Sequence, residues 1–292
     1  MNERDPRQGP KPSESAGTQE PPGVEGRLEP RADHGEESYR GADRLKGLSA
    51  IVTGGDSGIG RAVAIAFARE GADVAICYRS EAEEADAAET KRFVEAAGRR
   101  CLARRLDVGD PDDARDFVDS VADEFDGIDI LVNNAAEHTA RESVTDITPE
   151  QLERTFRTNV FGVFYMTQAA LRHMRPGAVV LNTGSVTGLK GHPILIDYAS
   201  TKGALHVLTQ SLAESLSEKG IRVNCVAPGP VWTPLINSTF DEEQVREFGR
   251  DTAWGRPAQP AELAPTFVFL ASAEARYITG EVVAVTGGIT TR

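Results

Sequence analysis

Beyond Leu48 the chain alternates short β-branched runs with amphipathic stretches of helical length, the pattern of parallel strands joined by crossover helices. Strand-like runs begin near Ala50, Val74, Cys101, Ile130, Ala178, Ile221 and Val282. Helical patterns open between them at Gly58, Glu83, Asp110, Pro149, Leu195 and Pro260. Runs that are apolar throughout, such as Ile130 to Val132 and Val179 to Leu181, predict strands covered by helices on both faces. The expectation is an α/β fold: a Rossmann-type, doubly wound, seven-stranded parallel sheet that binds its ligand at the carboxyl ends of the strands. Glu281 to Val285 falls at the sheet edge in that arrangement.

The first 40 residues break the pattern. They are rich in Pro, Glu, Gly and Ser, and apart from Met1 their only aliphatic side chains larger than alanine are Val24 and Leu28. Such a segment does not offset its ordering entropy alone. Two readings stay open: a disordered, solvated tail, or an extended arm laid on the body or a neighbouring subunit, with Leu28 and Tyr39 as anchors. The organisation expected is an arm over 1–40 and one catalytic domain over 41–292.

Composition narrows the function. The 292 residues are 40% apolar, enough for one sizeable core, and carry a net charge of −13 that repels phosphate backbones and anionic lipid surfaces. Neither nucleic acid nor membrane is expected as a partner. Cys77, Cys101 and Cys225 lie far apart in strand-like runs and read as reduced core residues. No apolar run reaches membrane-spanning length, and the N-terminus lacks the order of a secretory signal, so the expected address is cytoplasmic.

The first strand runs into Thr53-Gly54-Gly55-Asp56-Ser57-Gly58-Ile59-Gly60, and a helical pattern follows directly. Strand, glycine turn and helix stand in the order a dinucleotide site requires. Gly54 allows a tight turn, Gly58 lets the backbone approach a pyrophosphate, and Gly60 lets helix and strand pack, with the helix N-terminus facing the anion. The spacing differs from Gly-x-Gly-x-x-Gly, and no Lys follows the last Gly as a P-loop demands. The second strand ends at Tyr78-Arg79-Ser80, without the acidic residue that would hold the ribose hydroxyl of NAD. Arg79 suits a 2′-phosphate, which favours NADP. Asp56 counts against it as a nearby like charge, so NAD stays possible.

Tyr198 and Lys202 stand four residues apart on one face of a predicted helix. Bringing a phenol from a pKa of about 10 to near 7 takes roughly 4 kcal/mol of preference for the phenolate. An ammonium about 5 Å away supplies roughly 3 kcal/mol at an effective dielectric of 20, so Lys202 is expected to do most of the tuning. Ser185 closes the fifth strand run, where its hydroxyl meets a substrate oxygen. Asn159 interrupts a long helical pattern as a poor helix former, which reads as a local disruption with a bound water.

Together these residues resemble the short-chain dehydrogenase/reductase family over about Leu45 to the C-terminus. The family's glycine motif corresponds to Thr53 through Gly60, its adenine-contacting acid to Asp107 followed by Val108, and its Asn-Asn-Ala-Gly segment to Asn133-Asn134-Ala135-Ala136, with Ala136 where Gly is usual. The resemblance implies a catalytic tetrad of Asn159, Ser185, Tyr198 and Lys202. It also implies a nicotinamide clamp in Pro228-Gly229-Pro230-Val231-Trp232-Thr233, with Thr233 and the Val231 backbone on the carboxamide. Lys202 would hold the nicotinamide ribose as well as tune Tyr198. The Gly-Asp-Ser-Gly turn, the run Phe156 to Phe161 and the arm look most like a bacterial subgroup that includes NADP-dependent aldehyde reductases. A homotetramer is implied, and no metal.

The expected reaction moves hydride between nicotinamide C4 and an alcohol/carbonyl pair, with Tyr198 as acid and base. A serine hydrolase from Ser185, His192 and Asp197 fails on motif and order. A cofactor-sensing regulatory or structural protein is the alternative from another class, and a 3-oxoacyl-thioester reductase the third reading; the latter needs an exposed patch such as Arg154, Arg157, Arg172 and Arg175 to dock an acidic carrier. For the substrate pocket the expected residues are Ser185, Thr187, His192 and Trp232, with His138, Val186 and Pro193 nearby. The loop from Ile236 to Arg250 is expected to cover it.

Overall fold

The structure is a computed structural model and describes residues 5–12 and 17–290. Seven strands, β1 (Ser49–Thr53), β2 (Asp73–Tyr78), β3 (Cys101–Arg105), β4 (Ile130–Asn133), β5 (Val179–Thr183), β6 (Arg222–Pro228) and β7 (Val282–Val285), form one sheet in the order β3-β2-β1-β4-β5-β6-β7. Every pairing is parallel. The order reverses beside β1, so a crevice opens between the carboxyl ends of β1 and β4.

Alternate residues of each apolar strand serve opposite faces. Ala50, Val52, Val74, Ile76, Ile130 and Val132 pack on one side with helices α1 (Gly58–Arg69), α2 (Glu84–Ala96) and α10 (Pro260–Ala271). Ile51, Ala75, Leu131 and Val180 pack on the other with α3 (Pro111–Phe125), α5 (Gly162–Ala170) and the end of α7 (Ile196–Ser215). This is why the central strands carry no polar face to read, while edge strand β3 ends in Arg104 and Arg105. Helix α4 (Pro149–Phe156) joins α5 through a π-helical turn, Arg157–Phe161, so the single helix expected from Pro149 is interrupted at Asn159. Three short helices, α6 (Thr187–Lys190), α8 (Pro234–Asn237) and α9 (Glu242–Glu247), lie beyond the carboxyl ends of β5 and β6. Cys77 and Cys225 are buried, Cys101 is half-buried, and all three are free.

The described part of the N-terminal segment lies against the body; residues 1–4 and 13–16 fall outside the described residues. Leu28 and Ala32 join Trp232, Ile236 and Val245 in a small third core. The Trp232 indole N–H donates to the Pro30 carbonyl at 2.7 Å, and Ala261 N–H donates to the Asp33 carbonyl. Tyr39 donates its hydroxyl to the buried Glu70 carboxylate at 2.6 Å, which also accepts from Arg44 and the Ala42 amide. Glu70 is held well below the usual carboxylate range, to about 2: burial opposes its charge, but the Arg44, Tyr39 and backbone donors outweigh it. A low-hydrophobicity segment is thus ordered by polar contacts and one leucine rather than by a core of its own.

Leu28→Ala removes the aliphatic anchor of that third core. It is expected to lower the unfolding free energy by about 2–5 kcal/mol in urea titration, against no change for a solvated tail.

Candidate active site

The glycine turn builds the floor of the crevice. Gly54 and Gly58 have φ of +61° and +49°, conformations that side chains resist, and a Cβ on Gly60 would lie 1.9 Å from the Gly54 carbonyl oxygen. The turn therefore collapses onto itself and directs the first amides of α1 outward, where a helix cannot satisfy them internally. The Thr53 hydroxyl accepts from the amides of Asn134 (2.9 Å) and Ala135 (3.0 Å), while the Asn134 side chain donates to the carbonyls of Thr53 and Gly54. These bonds staple β1 to β4 across the switch point. The cleft that results has a volume of about 930 Å³.

Most of the expected residues line this cleft: Gly54, Asp56, Ser57, Gly58 and Ile59 of the turn, Tyr78, Arg79 and Ser80 after β2, and Asp107 and Val108 after β3. Asn134, Ala135 and Ala136 follow from β4, Ser185, Thr187, His192, Tyr198 and Lys202 from the β5 side, and Pro228, Gly229, Val231 and Thr233 after β6. Thr53, Gly60 and Asn159 stand behind the wall and shape it. Trp232 is a correction. Its extended backbone, with Val231 bridged to Ala258, sends successive side chains opposite ways, so Val231 and Thr233 take the cleft and Trp232 is fully buried in the third core. The pocket's aromatic surface comes from Phe240 and Phe248 of the Ile236–Arg250 loop instead, with their rings 6.1 Å apart.

At the chemical end, Tyr198 and Lys202 project from the first turns of α7. The Lys202 ammonium lies 5.5 Å from the centre of the Tyr198 ring and donates to the Thr183 carbonyl at 2.7 Å. Burial pushes the Tyr198 phenol up to about 12, with the Ser185 hydroxyl pulling the other way, and burial brings Lys202 down to about 8. The tuning expected mostly from Lys202 is opposed by desolvation, which favours the neutral form of both groups. Ser185 Oγ lies 3.0 Å from the Thr187 hydroxyl, which is buried beside it.

Asn159 sits in the π-helical turn with its amide fully used. Its Nδ2 donates to the Glu137 carbonyl (2.9 Å) and the Thr201 hydroxyl (3.2 Å), and its Oδ1 accepts from the Glu137 amide (2.9 Å). The helix widens so that one side chain can clasp the backbone after β4 and reach α7, a common reason for a π-turn at a site. His138, next along, stands edge-on to Tyr198 with ring centres 4.9 Å apart, and burial lowers its pKa to about 3, so it stays neutral.

Arg79 is in the cleft wall, but two acids hold it: Glu137 at 2.5 Å and Asp107 at 3.7 Å. Glu137 also binds Arg154 at 2.7 Å, and Arg157 pairs with Glu153, so two arginines of the carrier-docking patch are already neutralised. Asp197 accepts from Gln151, Thr155 and the Tyr198 amide, which leaves it no role with Ser185 and His192. Two contributions escaped the sequence reading. Glu137 carried a signal, its position directly after the Asn-Asn-Ala-Ala segment; Pro21, Pro22 and Gly23, which close one side of the cleft, carried none.

Comparison with known proteins agrees with this geometry. A family model described as enoyl-(acyl carrier protein) reductase matches residues 54–290. General stress protein 39 of Bacillus subtilis (strain 168) is 50% identical over 267 residues, covering 91% of this chain and 93% of its own. NADPH-dependent aldehyde reductase 1, chloroplastic, of Arabidopsis thaliana is 44% identical over 272 residues, covering 91% and 94%. A short-chain dehydrogenase of Burkholderia cenocepacia J2315, crystallised with NADP, superposes with a TM-score of 0.76 at 37% identity, covering 84% of this chain and 98% of its own. The chain belongs to the short-chain dehydrogenase/reductase family. It is an NAD(P)-dependent oxidoreductase, with the fold and cofactor crevice of that class.

Asp56 generates a stability test. Burial first, and the nearby Glu83 second, raise its carboxyl to about 7, and one of its oxygens is buried without a partner. A carboxyl whose folded pKa exceeds its unfolded value favours folding only while protonated, so its contribution is lost as pH rises from about 4 to 7. Asp56→Asn is expected to raise the unfolding free energy by up to ~4 kcal/mol at pH 8 and by much less at pH 5, measured by urea unfolding at both.

Proposed function

We propose that this protein reduces an aldehyde or ketone with NADPH, NADH being the lesser donor, and that Asn159, Ser185, Tyr198 and Lys202 carry the chemistry. The observation that supports this most directly is the Tyr198 phenol with the Lys202 ammonium 5.5 Å from its ring centre and Ser185 in the same wall, lining a cleft large enough for a dinucleotide and a small carbonyl compound; burial favours the neutral phenol. The neutral phenol is the form that proton donation requires. The bound dihydronicotinamide supplies hydride to the carbonyl carbon. Tyr198 donates its proton to the carbonyl oxygen as the C–O double bond becomes single, and Ser185 donates a hydrogen bond to the same oxygen. Lys202 stabilises the phenolate left behind, and its remaining N–H donors hold the nicotinamide ribose. Asn159 fixes the backbone at Glu137 and, through Thr201, the turn of α7 that bears Tyr198.

The preference for NADPH rests on Arg79 at the end of β2 and on the missing acid there; a buried, partly protonated Asp56 repels a 2′-phosphate less than an ionised one. The named NADPH-dependent aldehyde reductase and the NADP-bound neighbour are consistent with it. A cytoplasmic homotetramer belongs to the same reading: no helix among the described residues is long and apolar enough to cross a membrane, and Phe161, Phe164 and Val207 leave apolar surface exposed at the π-turn, α5 and α7.

Cofactor-coupled assays against a panel of aldehydes and ketones, with NADPH and NADH in parallel, test the reading. Tyr198→Phe is expected to lower kcat at least about 10³-fold while cofactor binding persists. Full activity of that variant would overturn the mechanism.

A further inference from the structure

The arm meets the glycine turn through a buried ion pair. Glu25 is 4% exposed and His34 3%. Glu25 Oε2 accepts from the Gly58 amide at 2.8 Å, and His34 Nε2 lies 3.2 Å from that same oxygen. The other carboxylate oxygen, Oε1, is buried with no partner. The backbone of the arm is pinned here too, since Asp86 of α2 accepts from the amides of Glu25 (2.7 Å) and Gly26 (3.3 Å). Arg61, one turn into α1, in turn donates to the carbonyls of Asp56 and Asp86 and pairs with Glu89.

We propose that Glu25 and His34 are cofactor-positioning residues, Glu25 setting the glycine turn for the diphosphate and His34 cancelling the charge that Glu25 brings there. The inference rests on the dinucleotide reading of the cleft. Of the α1 amides that the helix leaves unsatisfied, Gly58 is taken by Glu25, and that of Ile59, which lines the cleft, remains for an anion. Gly58 sits at a positive φ, so a fixed acceptor on its amide holds the turn in the shape that presents the next one. A carboxylate at that point is also a like charge beside a diphosphate. A protonated imidazole 3.2 Å from the same oxygen offsets that charge. Burial opposes a charged His34, but the carboxylates of Glu25 and then Glu36, 3.2 and 3.8 Å from its ring nitrogens, outweigh it and its pKa is raised. Gly58, whose amide Glu25 holds, lines the cleft, as do Pro21, Pro22 and Gly23 of the same segment, so the pair lies directly behind the cleft wall.

Isothermal titration calorimetry of the full-length protein with ADP-ribose, which carries the diphosphate but no nicotinamide, and with adenosine, which carries neither, tests this. His34→Gln leaves Glu25 uncompensated and is expected to weaken ADP-ribose binding about tenfold without changing adenosine binding. Glu25→Gln keeps an acceptor for Gly58 without the charge and is expected to bind ADP-ribose as tightly as wild type. The double variant is expected to return to within about threefold of wild type. In turnover, His34→Gln should raise the cofactor KM and leave kcat within about twofold. ADP-ribose binding by His34→Gln equal to wild type, or a double variant as weak as the single one, overturns the proposal. So does a loss of adenosine and ADP-ribose binding in equal measure, the signature of a merely structural role. A wild-type protein that binds neither ADP-ribose nor NADPH overturns the dinucleotide reading itself.

Discussion

The placement of one phenol and one amine, Tyr198 and Lys202, beside one cleft is the constraint on which the proposed chemistry depends. Tyr198 and Lys202 rise from the start of α7, Lys202 buried and Tyr198 half-buried in the cleft wall, and desolvation favours the neutral form of each. A phenol in water at neutral pH is also protonated, but it faces a solvent that competes for every proton it moves. In the proposed reaction the phenol is held beside a serine hydroxyl, and the nearby ammonium favours the phenolate once a proton has left. Much of the remaining architecture serves to hold this pair over the crevice. The parallel sheet ends there, the π-turn at Asn159 braces α7 through Thr201, and Thr183 anchors the lysine from the end of β5.

Electrostatics at the other end of the cleft is balanced more finely. The wall carries Asp56, Glu83, Asp107 and Glu137 against Arg79 and Arg154, in a chain of net charge −13 that must still accept a multiply charged anion. Three devices reconcile this. The unsatisfied amides of α1 supply positive potential without a formal charge. Asp56 is buried far enough to hold a proton near neutrality. The acids Glu137 and Asp107 keep Arg79 in the wall, where an arriving phosphate can compete for it. Cofactor choice is therefore a contest among neighbours, not the property of one arginine.

The fold was readable in the sequence almost throughout, and for an identifiable reason. Strands covered on both faces are apolar at most positions, and crossover helices are amphipathic, so both types of element announce themselves locally; β1 to β7 start within a residue or two of the runs that predicted them. The glycine turn was equally legible, because positive φ and close backbone approach admit few other residues. Asn159 showed as a disturbance in a helical pattern, although its partners did not show. Tyr198 and Lys202 were visible as a spacing, and their proximity followed from the helix.

What tertiary structure alone decided is how buried each group is and what faces it. The pKa direction of Tyr198 turned on desolvation, which no spacing reveals. Trp232 left the pocket because the extended backbone after β6 alternates its side chains, and only the bridge from Val231 to Ala258 sets which face looks into the cleft. The first 40 residues offered Leu28 and Tyr39 as anchors but left open whether they dock; Leu28 joins a small core, and Glu25, which the sequence did not single out, takes the Gly58 amide. Local sequence encodes elements whose energetics are local: strand, helix, tight turn. Charge balance and arm docking depend on residues that are tens to hundreds of positions apart, and their partners exist only once the chain has closed on itself.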